Sequence, residues 1–169
     1  MKRARVGIIA AAVFAVASVA FAQAKPDFSG TWTLDPEASG MPAGGGAGAG
    51  GGGGRGGMMG GPVTIKQTAD TLTIERTAGD AKVVTTYNLS GKEQENSMAG
   101  RGGTPMVSKY VSKWDGSKLV TTVTRDGQNG PQVSTETRSI EGGNMVVETQ
   151  STGRDGNPMS RKQVWKKSS

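Results

Sequence analysis

The sequence predicts an all-β protein, an antiparallel up-and-down meander of about 8–10 strands that closes into a barrel. Three observations carry this expectation. Short runs rich in Val, Ile, Thr and Tyr recur from Pro62 to Lys167. Gly-, Asn- and Asp-containing turns punctuate them every 12 to 15 residues. Beyond the first 22 residues, no stretch has helical periodicity of useful length. Connections this short join antiparallel neighbours, and a long meander removes its exposed edges by closing on itself. A β-sandwich is the competing architecture.

The chain opens with a basic cluster (Lys2, Arg3, Arg5), then the apolar run Val6–Val19, then Ala20-Phe21-Ala22. This is the layout of an export signal peptide over residues 1–22, with small residues at the −3 and −1 positions of the cleavage site. No Cys follows it and no adjacent pair of arginines precedes it, so general secretion to a periplasmic or extracellular location is expected. Three basic residues leave with the leader, and the remaining 17 basic and 14 acidic residues give a mixed surface of net charge +3. That balance gives no reason to expect nucleic-acid binding.

The first strand is expected at Gly30–Leu34. Asp35-Pro36-Glu37 then begins like a helix, with a cap, a first-turn Pro and an early acid, but glycine stops it after about one turn. Fourteen of the 28 glycines fall within residues 40–61. This tract offers almost no side chain to bury and maximal backbone entropy to lose, so it reads as a disordered insertion between the first and second strands. It lacks the Lys-Ser/Thr of a phosphate-binding loop.

Strands follow at Val63–Thr68, Thr71–Thr77 and Lys82–Leu89, the last with Val83, Thr85 and Tyr87 on one face. A short strand near Glu93–Ser97 precedes Met106–Trp114, which carries Tyr110 and Trp114 on one face. Asp115-Gly116 leads into Lys118–Arg125, and Asp126 to Gly130 into Gln132–Ile140. Glu141-Gly142-Gly143 leads into Asn144–Thr152, and Asp155 to Pro158 into Met159–Lys167. Pairs such as Asp-Gly supply the positive φ of tight hairpins. Outside the leader and the glycine tract, 125 residues include only 19 Leu, Ile, Val and Phe but 17 Thr. Threonine fits a pleated strand, yet its hydroxyl wants a partner, so the interior should be partly polar.

Zero Cys and zero His exclude disulfides, thiolate or imidazole metal sites and the common nucleophilic triads. No cofactor or metal is expected. The scattered acids, including the pairs Glu93/Glu95 and Glu136/Glu148, read as solvated, so the protein is expected not to be an enzyme. The residues suited to hold a ligand are Tyr87, Tyr110 and Trp114 as lumen aromatics, and Arg125 and Arg138 as guanidiniums for an acidic group.

Phe28-Ser29-Gly30-Thr31-Trp32-Thr33-Leu34 at the first strand resembles the opening of the calycin barrels, the lipocalins and fatty-acid-binding proteins. The nine or ten strands, and a glycine tract where that second branch inserts its two-helix lid, look more like the fatty-acid-binding branch. The resemblance implies that Gly30 and Trp32 form a barrel plug and that a basic residue before the final Trp, Arg161 or Lys162, packs across the Trp32 ring. It implies a lumen for a small hydrophobic or amphipathic ligand. The sequence departs from the family in three ways: glycine replaces the lid helices, the last strand lacks the Arg-x-Tyr carboxylate pair, and the lipocalin disulfide is absent. The resemblance therefore leaves the ligand's identity open. A role as an envelope interaction module, with the barrel as scaffold and the glycine-rich loop as contact, stands beside ligand binding.

Overall fold

The computed structural model describes residues 24–41, 61–78, 81–99, 105–127, 130–153 and 156–168. The expected leader at 1–22 and most of the glycine tract lie outside the described residues. Ten strands follow one another: β1 (Gly30–Asp35), β2 (Val63–Gln67), β3 (Thr71–Ala78), β4 (Ala81–Asn88), β5 (Glu93–Ala99), β6 (Pro105–Asp115), β7 (Lys118–Gly127), β8 (Gly130–Glu141), β9 (Asn144–Thr152) and β10 (Pro158–Lys167).

All ten belong to one antiparallel sheet in the order β4-β3-β2-β1-β10-β9-β8-β7-β6-β5. The meander is therefore closed by pairing β1 with β10, in the register Trp32↔Lys167 and Leu34↔Trp165. What remains open is the seam between β4 and β5. One side chain spans it: Gln94 on β5 accepts from the Asn88 amide at 2.9 Å and donates to the Thr86 carbonyl of β4. Beside it, the Tyr87 and Tyr110 rings meet edge to face at 5.4 Å, which carries β4 over to β6. The result is a nearly closed barrel, and the sandwich alternative does not apply.

The turns explain the register. Between Glu141 and Asn144, Gly142 and Gly143 take φ of 56° and 82°, the conformation a two-residue type I′ hairpin requires at both centres. Asp35-Pro36-Glu37 makes a single turn, in which the Ser39 amide donates to the Asp35 carbonyl at 3.1 Å and the Ala38 amide to the Asp35 carboxylate at 3.1 Å.

The meander sends alternate turns to opposite ends of the barrel. One end is sealed. Phe28, Trp32, Leu72, Leu119 and Met145 are the large apolar side chains fully buried there, with Ile65 beside them. The segment before β1 folds across this end and is pinned by Gln67, whose side chain accepts from the Phe28 amide at 3.0 Å and donates to the Pro26 carbonyl at 3.0 Å. The expected polarity of the interior is present as well. Ser112 and Thr121, both buried on the facing strands β6 and β7, share a 2.9 Å hydroxyl–hydroxyl bond.

Candidate ligand cavity

The opposite half of the barrel encloses a cavity of about 420 Å³. Its position follows from side-chain size. Trp, Phe and Leu crowd the sealed end, whereas toward the mouth several inward positions, Ser134, Thr149 and Ser151, are too small to meet across the lumen. The apolar wall consists of Val63, Ile65, Ile74, Val123, Met145 and Val147.

Four of the expected ligand residues are brought together on this wall: Tyr87, Tyr110, Arg125 and Arg138. Arg138 lies deepest, at 5% exposure, on a strand position opposite Leu119 and Val147. Glu136, two residues along the same inward face, forms an ion pair with it. The Arg138 guanidinium also lies 5.4 Å from the centre of the Tyr87 ring. Its Nη1 is buried without a hydrogen-bond partner among the described residues. Burial is the largest influence and opposes the charge on Arg138, but Glu136 and Tyr87 together outweigh that penalty and hold its pKa above the ordinary arginine value. For Tyr87, burial is the dominant influence and pushes the phenol up, with Arg138 opposing. Arg125 is half-buried, and its Nε donates to Ser108 Oγ at 3.3 Å.

Trp114 is not part of the cavity wall. Its ring stacks on Phe28 at 6.0 Å, with 4° between the planes, and Lys25 lies 5.6 Å over it. The reason is position along the strand: Trp114 sits one residue from the β6–β7 turn, at the sealed end, so the shared face with Tyr110 does not give it a shared depth. The plug is also corrected in one member. Lys167, not Arg161, lies over the Trp32 ring at 5.5 Å. The β1–β10 register places Lys167 directly opposite Trp32, and Arg161 is six residues away, roughly 20 Å of strand. Gly30 makes the stacking possible, because a Cβ there, at φ 133°, would lie 2.6 Å from Lys167 Cε. Trp32 itself donates from Nε1 to the Phe28 carbonyl at 2.8 Å. Arg161 lines the cavity near its mouth, where its Nη2 approaches Met41 Sδ at 3.8 Å.

Sequence reasoning missed Arg76, Gln163 and Trp165 on the wall, and assigned Glu136 to solvent. The signal for Arg76 was present: Leu72, Ile74 and Arg76 alternate along β3 and share the inward face. Trp165 Nε1 is buried without a partner among the described residues. Glu93 and Glu95 both reach Lys109 on the outer surface, at 3.1 and 3.5 Å. No group of three or more His, Cys, Asp or Glu among the described residues is placed to hold a metal ion.

No protein-family model matches the sequence, and a search of curated proteins finds no relative. Solved structures do resemble it. Lipid binding protein 8 of Caenorhabditis elegans superposes with a TM-score of 0.53 at 12% identity, over 83% of this chain and 95% of that one. Human cRBP IV gives 0.52 at 20% identity, over 85% and 99%. The zebrafish ileal bile acid-binding protein, solved with cholic acid, gives 0.50 at 19% identity, over 83% and 98%. At such identities the likeness shows the fold alone, a ten-stranded antiparallel barrel shared with these structures.

Proposed function

We propose that this protein is an exported, non-enzymatic barrel that holds a small hydrophobic or amphipathic molecule in its lumen. One observation carries the reading: a cavity of about 420 Å³ with an apolar wall and, among the described residues, two tyrosines and four arginines, Arg76, Arg125, Arg138 and Arg161, against a single carboxylate, Glu136. The volume falls within the roughly 300–1,000 Å³ of small-molecule sites, and the mix of apolar wall and few polar groups is typical of them. The guanidinium excess favours a ligand with an acidic group. Cholic acid, bound by one of the structural neighbours, is a molecule of that kind. The leader at residues 1–22 supports export.

Native mass spectrometry of the protein produced with its leader tests both parts. The expected result is a mature chain beginning at Gln23 with co-purifying amphiphile, and a melting temperature that rises with added medium-chain amphiphiles. Saturation at a hundredfold excess over Kd stabilises by about 2.7 kcal/mol. A chain that retains residues 1–22 refutes export. A ligand-free lumen and a melting temperature indifferent to the whole panel refute the binding reading.

A further inference from the structure

The lumen has two electrostatic tiers, and they differ in what they leave for a ligand. In the deep tier, Arg138 is already paired with Glu136. An anionic head pushed down to Arg138 meets the Glu136 carboxylate beside it, so the pair makes the floor a poor place for a second negative charge. Near the mouth the balance is reversed. Arg76 lies two residues before the end of β3, Arg125 two residues before the end of β7, and Arg161 three residues after the start of β10. In the meander these three strand ends belong to the same end of the barrel, and all three side chains line the one cavity. Glu136 is the only carboxylate among the described residues of the cavity wall, and the ladder sets it in one row with Thr149 and Arg161. Among the described residues, neither Arg76 nor Arg125 has an ion-pair partner. Ser134 and Ser151, paired across β8 and β9, add hydroxyl donors to the same rim.

A monoanion neutralises one of the two rim guanidiniums, Arg76 and Arg125, that have no ion-pair partner among the described residues. A phosphate monoester carries about −1.5 to −2 at neutral pH and presents three acceptor oxygens, which suits several converging guanidiniums. We infer that the lumen binds a phosphate-headed amphiphile head-out, its phosphate held at the mouth by Arg76 and Arg125 and its apolar tail lying against Ile65, Met145 and Trp165. This rests on the lumen-binding reading above and fixes the head group and its orientation.

Four probes of one chain length, each below its micelle-forming concentration, test it by titration against the mature protein: decyl phosphate, decanoate, decanol and inorganic phosphate. Decyl phosphate should bind at least tenfold more tightly than decanoate. Arg76→Gln with Arg125→Gln should abolish that preference while leaving decanol affinity within twofold, which also shows that the variant is folded. Equal affinity for the phosphate and the carboxylate overturns the inference. So does saturation by inorganic phosphate as tightly as by decyl phosphate, since the site would then be one for free phosphate. Failure of decanol and every other amphiphile to bind instead removes the lumen reading itself. Orientation is read in the wild type by tryptophan quenching. A decyl phosphate brominated at the far end of its chain should quench more strongly than one brominated next to the phosphate, because Trp165 lies at the cavity floor and Trp32 and Trp114 lie beyond it. The opposite order places the head at the floor and overturns the orientation.

Discussion

The two ends of this barrel are built from the same strands and almost opposite chemistry. At the sealed end polar groups close upon one another: Trp32 bonds the Phe28 carbonyl, Gln67 pins the segment before β1, and lysines cap the Trp32 and Trp114 rings. At the mouth, Arg76, Arg125 and Arg161 line open volume together with the hydroxyls of Ser134 and Ser151. Stability is concentrated where side chains meet, and recognition where they fail to meet. The meander permits the separation because each strand contributes a few residues to both ends, so large residues can be spent at one without filling the other.

Three changes break or sharpen that contrast. The largest effect is expected at the plug. Trp32 is 2% exposed, and Trp32→Ala should cost about 3–5 kcal/mol by opening a cavity, read as a fall in the urea midpoint. A change below about 1 kcal/mol would show that the sealed end is not where stability resides. Next is the floor of the lumen. Glu136→Leu leaves the Arg138 charge buried and unpaired, and should cost about 3 kcal/mol, at the low end for a buried pair because Glu136 retains some exposure. Adding Arg138→Met should restore most of that loss. If the double variant is no more stable than the single one, the ion pair is not what sets the cost. The smallest effect is expected at the mouth. Deleting residues 44–57 should alter stability by less than about 1 kcal/mol, since shortening a loop changes closure entropy only slowly. The turn before the tract is held independently: Ser39 Oγ accepts from the Val164 amide of β10 at 2.9 Å. Loss of cooperative unfolding in that deletion would make the tract structural.

Much of the fold was legible because β-structure announces itself locally. Period-two alternation put Val83, Thr85 and Tyr87 on one face, and Gly142-Gly143 marked a hairpin that both residues' positive φ confirms. Even the short strand near Glu93 is real and extends to Ala99. Alternation, however, reports face and not depth. Tyr110 and Trp114 share a face of β6, yet one lines the cavity and the other closes the plug. Depth depends on how the strands stagger around the barrel, which is a property of the closed sheet.

The same distinction governs the charges. The sequence by itself pointed to an antiparallel meander of about 8–10 strands and an interior with too few aliphatic residues to be dry, while the Gly-x-Trp plug followed from a family resemblance. Only the tertiary structure decided that Lys167 rather than Arg161 lies over Trp32, that Arg138 meets Glu136 and Tyr87, and that Arg76 joins Arg125 and Arg161 at one rim. The β1–β10 register and the closure of β4 toward β6 set those distances, because residues as far apart as Trp32 and Lys167, or Tyr87 and Tyr110, become neighbours only when the sheet comes round on itself.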